Sequence, residues 1–278
     1  MKDSLGDRMK GYENVTRNYL MPRSYTIIRV DGKAFHTFTK KFKRPFDEDL
    51  VKMMNATALY LAKKIQGCKL AYVQSDEISL LLTDFDDLNT SAWFDGNIQK
   101  IVSVSASMAT SEFNRQFLMQ QLMTKTTEGT SGKYLFNAKE IEALKFAEFD
   151  ARTYTLPTKT EAINYFIWRQ KDAERNSVQM VARSFYSHKE TDKCSSARLQ
   201  EMIFQKGTNW NDLNDGLKRG RVAVRSAVIV KPPVDGLAPM GKPMFDTAMA
   251  IRHKWGIKNP PIFTKDREFL DELIPANT

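Results

Sequence analysis

Two short acidic motifs carry the clearest chemical promise: Asp31-Gly32 at the end of a β-branched run, and Ser75-Asp76-Glu77 between two apolar stretches. Carboxylates supply the oxygen ligands that magnesium takes, and magnesium keeps some positions for substrate phosphates. Two such ions, held by shared carboxylates, lower the pKa of an attacking hydroxyl and neutralise a departing pyrophosphate. Asp31, Asp76 and the Gly32 carbonyl are the ligands this reading names, and Glu77 is either a further ligand or the orienter of a metal-bound water. Each motif alone also reads as an ordinary polar turn. The two readings part on whether the chain brings the motifs together.

A glycine beside the first aspartate lets backbone approach phosphates closely, so the amides of Gly32, Lys33, Ala34, Phe35 and His36 could cradle a triphosphate. Lys40, Lys41, Lys43 and Arg44 follow as a basic run, either phosphate contacts or a solvated face. His36, with Phe35 and Phe38 nearby, could meet a nucleobase or sit satisfied in the core.

The elements that must position these groups can be read in order. Tyr25–Val30 predicts a strand. Leu50, Met53, Met54, Thr57, Leu61 and Ile65 recur at helical spacing, with Asp47 to cap the start and Gly67 to close the end. Lys69–Gln74 and Ile78–Leu82 predict a hairpin around the second motif. A second helix is expected from Asn97 to Met123, a Gly/Ser/Thr loop over Thr126–Lys133, and a fourth strand at Lys145–Phe149, ending at Asp150-Ala151-Arg152. The order is βαββαβ, which is the split βαβ layout of ferredoxin-like palms in an α+β fold. By the crossover rule the first and third strands become neighbours, so Asp31 lies beside Asp76 and Glu77.

Beyond the palm, Thr158-x-x-Glu161 is a capping-box signature opening a helix to about Tyr186. Ser195 or Ser196 caps a shorter helix, and Lys218–Val230 alternates basic and apolar residues as a hairpin arm would. Lys231-Pro232-Pro233 and Asn259-Pro260-Pro261 mark an extended tail. The expected division is 1–157 as a palm-like catalytic domain, 158–230 as a helical and hairpin region packed on it, and 231–278 as the tail.

The 278 residues include 42 Lys and Arg against 33 Asp and Glu, a formal net charge of +9, and such an excess favours a polyanionic partner. Cys68 and Cys194 form no framework, which fits a reduced cytoplasm, and His36, His188 and His253 are too scattered for a zinc site. No apolar run is long enough to span a bilayer, and Met1–Lys10 lacks a signal core, so neither membrane insertion nor export is expected.

The stretch Arg29-Val-Asp-Gly-Lys-Ala-Phe-His-Thr-Phe-Thr39 resembles the opening signature of the tRNA-histidine guanylyltransferase family, as does Ala71-Tyr-Val-Gln-Ser-Asp-Glu-Ile-Ser79. Phe149-Asp-Ala-Arg152, Trp168-Arg-Gln170, Asp172 and Asn176 follow in the family's order, and the likeness spans about residues 8 to 225. It implies 3′-to-5′ addition, in which ATP activates a 5′-monophosphorylated tRNA and the 3′-hydroxyl of an incoming nucleotide, usually GTP, attacks that end. Carried over, the resemblance implies two magnesium ions on Asp31, the Gly32 carbonyl and Asp76, and nucleotide on Asp31 through His36, Ser75 and Asp76. Lys43 or Arg44, together with Lys100, match basic triphosphate contacts, and Arg152 a phosphate role; a homotetramer is also implied. Where eukaryotic members carry His-Ile-Asn-Asn, this chain reads Glu174-Arg-Asn-Ser177, so only Asn176 matches. That pattern looks like the bacterial and archaeal branch, which rebuilds truncated 5′ ends against the opposite strand. Such an enzyme reads tRNA shape on a basic surface, for which Arg169, Arg175, Arg183 and Lys189 are candidates. The alternatives are a strict guanylyltransferase for the histidine tRNA, a GTP or ATP cyclase on the same palm, and a non-catalytic RNA-binding protein. The cyclase reading lacks its Gly-Gly before the acidic pair, where Gln74-Ser75 stands.

Overall fold

A computed structural model describes residues 4–127, 144–230 and 250–277. Its centre is one antiparallel sheet in the order β4-β1-β3-β2-β5-β6. The strands are β1 (Tyr25–Gly32), β2 (Cys68–Gln74), β3 (Glu77–Leu82), β4 (Phe149–Leu156), β5 (Arg221–Val230) and β6 (Ala250–Lys258). The first four, with α3 (Glu48–Lys64) and α4 (Ile98–Thr127), make the expected βαββαβ palm, and β1 pairs directly with β3. Ahead of β1 lies α1 (Ser4–Val15), and after it comes the short α2 (Phe35–Phe38).

Strand alternation sorts the sheet's side chains onto two faces. Ile28, Val30, Val73, Ile78 and Leu80 pack under α3 and α4 with Met54, Leu61 and Phe113. Tyr25, Ile27, Leu70, Tyr72 and Leu81 face the other way and are covered by α5 (Lys159–Phe185) through Ala162, Ile163, Tyr165 and Phe166. Phe263, Leu270 and Ile274 close this second layer, Leu270 from α9 (Glu268–Leu273). Each fully buried side chain of this size contributes about 1.5–3 kcal/mol, so both faces of the sheet are anchored. The far half of α5 packs Val178, Val181 and Ala182 against Leu199 and Ile203 of α7 (Ser196–Gln205) and against Trp210. The short α6 (His188–Thr191) and α8 (Asp215–Arg219) complete the chain's helices among the described residues.

The expected N-terminal caps are made, although Thr158 forms only half of its capping box, the Glu161 side chain accepting from Asn164 instead. The Asp47 side chain accepts from the Asp49 and Leu50 amides, Thr158 from the Glu161 amide, and Ser195 from the Arg198 amide. Two elements differ from expectation. The fourth strand starts at Phe149 and runs to Leu156, so Asp150, Ala151 and Arg152 lie inside it; Thr153, Tyr154 and Thr155 supply the β-forming residues. Residues 250–258, expected in an extended tail, pair with β5 in continuous register from Val222↔Lys258 to Val230↔Ala250. This hairpin extends the palm sheet instead of wrapping its surface. Residues 126 and 127 end α4, while the rest of the expected Gly/Ser/Thr loop and Lys231-Pro232-Pro233 lie outside the described residues.

Candidate active site

Asp31 is the penultimate residue of β1, and its cross-strand partner on β3 is Glu77. The turn between β2 and β3 consists of Ser75 and Asp76, with Ser75 at φ 46°, in the left-handed region. The Gly32 amide donates to the Asp76 carbonyl at 3.2 Å, which ties the two motifs together. A β-carbon at position 32 would lie 2.2 Å from the Phe35 ring, so the close packing of Phe35 requires glycine there. One cleft is lined by Arg29, Asp31, Gln74, Ser75, Asp76, Glu77, Arg169, Asp172 and Asn176.

The electrostatics of this cleft suit a cation. Burial pushes the Asp76 carboxyl up to about 6, Asp31 adds to the rise, and hydrogen bonds from its own amide and Ser75 oppose it. Asp31 is likewise raised, by burial and then by Asp150 across the β1–β4 pair, against the pull of Arg152, Arg29 and Arg169. Two carboxylates that resist ionising beside each other gain from a divalent ion. Among the described residues no group of three or more His, Cys, Asp or Glu side chains is gathered for a metal. An ion at this point would rest on two carboxylates, a backbone carbonyl, water and substrate oxygens, which is the usual company of magnesium.

Glu77 faces inward rather than into solvent. Arg169 donates to it twice, Nε to Oε1 at 2.8 Å and Nη2 to Oε2 at 2.5 Å, and Ser79 donates to Oε1 at 3.0 Å. Arg169, expected on an RNA-facing surface, is 5% exposed and also bonds Asp172 at 2.9 Å. Arg175 pairs with the same Asp172 from a more open position, and Asn176 donates to it at 3.2 Å.

A second cavity adjoins the first and shares Gln74, Ser75 and Asn176 with it. His36, Lys43, Arg44 and Arg183 line it, together with Met180, Gly220 and Arg221. His36 is therefore exposed at a cavity and not part of the core. Gly32 and Lys33 do not offer their amides, since the Lys33 amide donates to the Glu148 carbonyl at 2.8 Å and its Nζ pairs with Glu148 at 2.6 Å. The first-turn amides of α2, from Ala34, Phe35 and His36, are what remain for a phosphate.

Not every expected residue converges here. Lys100 sits at the start of α4, where its Nζ lies 5.7 Å over the Phe94 ring. α4 reaches the Gly32 end of the sheet only at Thr110, whose hydroxyl accepts from the Phe149 amide, about 15 Å further along the helix. Lys189 lies exposed on α6, outside both cavities. Arg152 is half exposed, with Nη2 3.3 Å from Asp150 and 4.0 Å from Asp31.

Three cleft residues, Arg29, Gln74 and Asp172, belong to the matched motifs but carry no role in the sequence reading. Two of them carry an unmet need. Arg29 Nε and Gln74 Oε1 are buried without a hydrogen-bond partner among the described residues. The period of two was the signal, because Arg29 shares its face with Asp31, and Gln74 pairs across strands with Glu77.

The comparisons agree with this architecture. The description "Thg1: tRNAHis guanylyltransferase" matches residues 6–157, more than half of the chain. The tRNA(His) guanylyltransferase of Debaryomyces hansenii is 29% identical over 238 residues, covering 81% of this chain and 82% of that protein. A bacterial tRNA(His) guanylyltransferase (Thg1)-like protein, solved in complex with ATP, is 37% identical with a TM-score of 0.76, covering 98% of this chain and 99% of that one. The same title with GTP gives 37% and 0.74. The Saccharomyces cerevisiae enzyme gives 25% and 0.58, over 77% of this chain and 92% of that one. An α+β palm, a carboxylate cleft at its strand ends and this match over residues 6–157 place the chain in the tRNAHis guanylyltransferase (Thg1) family of nucleotidyltransferases.

Proposed function

We propose that this chain adds nucleotides to the 5′ end of tRNA in the 3′-to-5′ direction, using the opposite strand as template, and so repairs 5′-truncated tRNA. The observation that carries this reading is the continuity of the two cavities through Gln74, Ser75 and Asn176. A nucleotide seated in the cavity beside His36 would bring its phosphates to Asp31 and Asp76. Lys43 and Arg44 line the same cavity and would balance the triphosphate charge. Bacterial Thg1-like relatives in complex with ATP and GTP support both nucleotides as ligands. Asp31, Asp76 and the Gly32 carbonyl would hold two magnesium ions. When bound, magnesium would neutralise the phosphates and acidify the attacking hydroxyl. The protein's own part is positioning: the cleft fixes the reacting groups, and a templating base pair fixes the incoming hydroxyl.

The segment Glu174-Arg-Asn-Ser177 supports repair over strict addition to one tRNA. Glu174 accepts from Arg219 at 2.9 Å, Asn176 is bound to Asp172, and Ser177 accepts from the Trp210 indole at 3.0 Å. Glu174 and Ser177 are thus taken up inside the protein, and Asn176 faces the two cavities, so this segment offers no counterpart to the missing histidine. Cytoplasmic action as a homotetramer completes the proposal. No described helix is long and apolar enough to cross a membrane. In α1, Leu5, Met9 and Tyr12 form an exposed stripe, and the helix buries none of its residues.

The test uses tRNAs of several identities lacking one to three 5′ nucleotides, with ATP, GTP and magnesium. Growth should stop when the acceptor stem is fully paired. Extension that ignores the templating base, or that occurs only on the histidine tRNA, would refute the proposal.

A further inference from the structure

We propose that Trp168 is a stacking platform for the terminal base of the acceptor RNA strand, the nucleotide whose 5′ phosphate comes under attack. This rests on the polymerase reading above. Trp168 lies on α5 and is 50% exposed, although its neighbours Tyr165, Phe166 and Arg169 are buried. A large indole held half in water beside a phosphotransfer cleft offers a flat apolar surface to a base.

The ring is fixed before any ligand arrives. The Arg169 guanidinium lies over it at 4.4 Å, Arg29 approaches to 5.8 Å, and Tyr165 meets it edge to face with centroids 5.8 Å apart. Arg169 is itself immobilised by Glu77 and Asp172. Little ordering is left for binding to impose.

Its position separates two substrates. Arg29 and Arg152 are cross-strand partners on β1 and β4, one step from Asp31 on the same face. Arg29 joins Trp168 to the carboxylate cleft, where its buried Nε has no partner among the described residues. The nucleotide cavity opens on the other flank, at the end of β2 and beside α3 and α8. Asp31 and Asp76 therefore stand between a cavity for the incoming nucleotide and an aromatic plate flanked by two arginines. A base on the plate places its phosphates toward the arginines and the cleft. Stacking accepts every base, so it would secure the acceptor without reading its sequence.

The experiment measures RNA affinity by fluorescence anisotropy, with no nucleotide triphosphate present, for acceptor-stem duplexes whose 5′-terminal nucleotide is intact or abasic. Wild-type protein should bind the abasic RNA about 5- to 150-fold more weakly, the usual range for one base–aromatic stack. W168A should bind both RNAs alike, and W168F should keep most of the difference. GTP affinity should be the same in all three. Equal binding of both RNAs by the wild-type protein overturns the proposal, and that comparison needs no variant to fold. An equal weakening of both RNAs in W168A would make Trp168 merely structural, and a parallel loss of GTP affinity would assign the plate to the free nucleotide. Both overturn it. If wild-type protein shows the base preference but extends no RNA, the polymerase reading falls and the platform stands; extension without the preference is the reverse.

Discussion

Arg169 grips Glu77 as a two-point fork across 92 residues of sequence, with both side chains nearly sealed from water at 6% and 11% exposure. The pair fastens α5 to the third strand of the sheet at the floor of the cleft. Asp172 draws Arg169, Arg175 and Asn176 into the same cluster, so α5 arrives with its cleft-facing side chains already set.

Removing one member leaves a buried charge alone, so Arg169→Met should cost about 3–5 kcal/mol of folding stability. Glu77→Leu added to it should recover much of that loss. Urea unfolding of both singles and the double checks this. Strictly additive losses would show that the fork does not couple the two residues.

Asp31→Asn and Asp76→Asn should each lower turnover by more than about a hundredfold, since even outer partners of a metal ligand are worth 10- to 100-fold. Thermal unfolding and RNA affinity should barely change, because Asp31 lies at the cleft surface and Asp76 in a turn. The measurement is single-turnover extension at saturating magnesium; near-normal rates in either variant would remove these residues from the chemistry.

Gln74 is 5% exposed and its Oε1 finds no donor among the described residues. A bound nucleotide's hydroxyl or base N–H is the natural donor at the junction of the two cavities. Gln74→Leu should leave stability unchanged or slightly raised, because an unmet buried acceptor costs about 1–3 kcal/mol. The KM for the nucleotide should rise about two- to tenfold, from the net worth of one hydrogen bond. A KM that stays put, with stability lost, would make Gln74 a packing residue.

Burial pushes the Cys68 thiol up to about 12, with the charge of Lys69 opposing the rise. The sign is simple: a raised thiol pKa keeps the group protonated and poorly nucleophilic across neutral and mildly basic pH. Alkylation at pH 8 followed by mass spectrometry should label Cys194 well before Cys68. Cys68 should react only when denaturant opens the sheet, and labelling of both at one rate would contradict this environment.

The meeting of Asp31 with Asp76 was legible in the chain because the crossover rule leaves few places for β1 and β3. Arg29 and Gln74 were within reach of the same logic, which had been applied to the acidic residues alone. The Arg169–Glu77 fork was not legible. It depends on the rotation of α5 over the sheet, which periodicity over a 27-residue helix does not set. β4 was placed too early because Asp-Ala-Arg looks like the end of a strand; pairing with β1 on its full length overrules that local preference. β6 was missed for a related reason. The tail offers few periodic apolar positions, yet an edge strand with β5 as its partner can carry Arg252, His253 and Lys254 exposed.

The pairing of β1 with strands on both sides bears on how the gene can change length. A codon lost between Tyr25 and Asp31 would shift every later side chain in β1 to the opposite face and turn Asp31 toward α3 and α4. The β5–β6 ribbon is under no such constraint beyond its first residues, since β2 holds only Arg221 to Val224. Natural variants should therefore differ freely in the length of that ribbon and keep β1 to the residue.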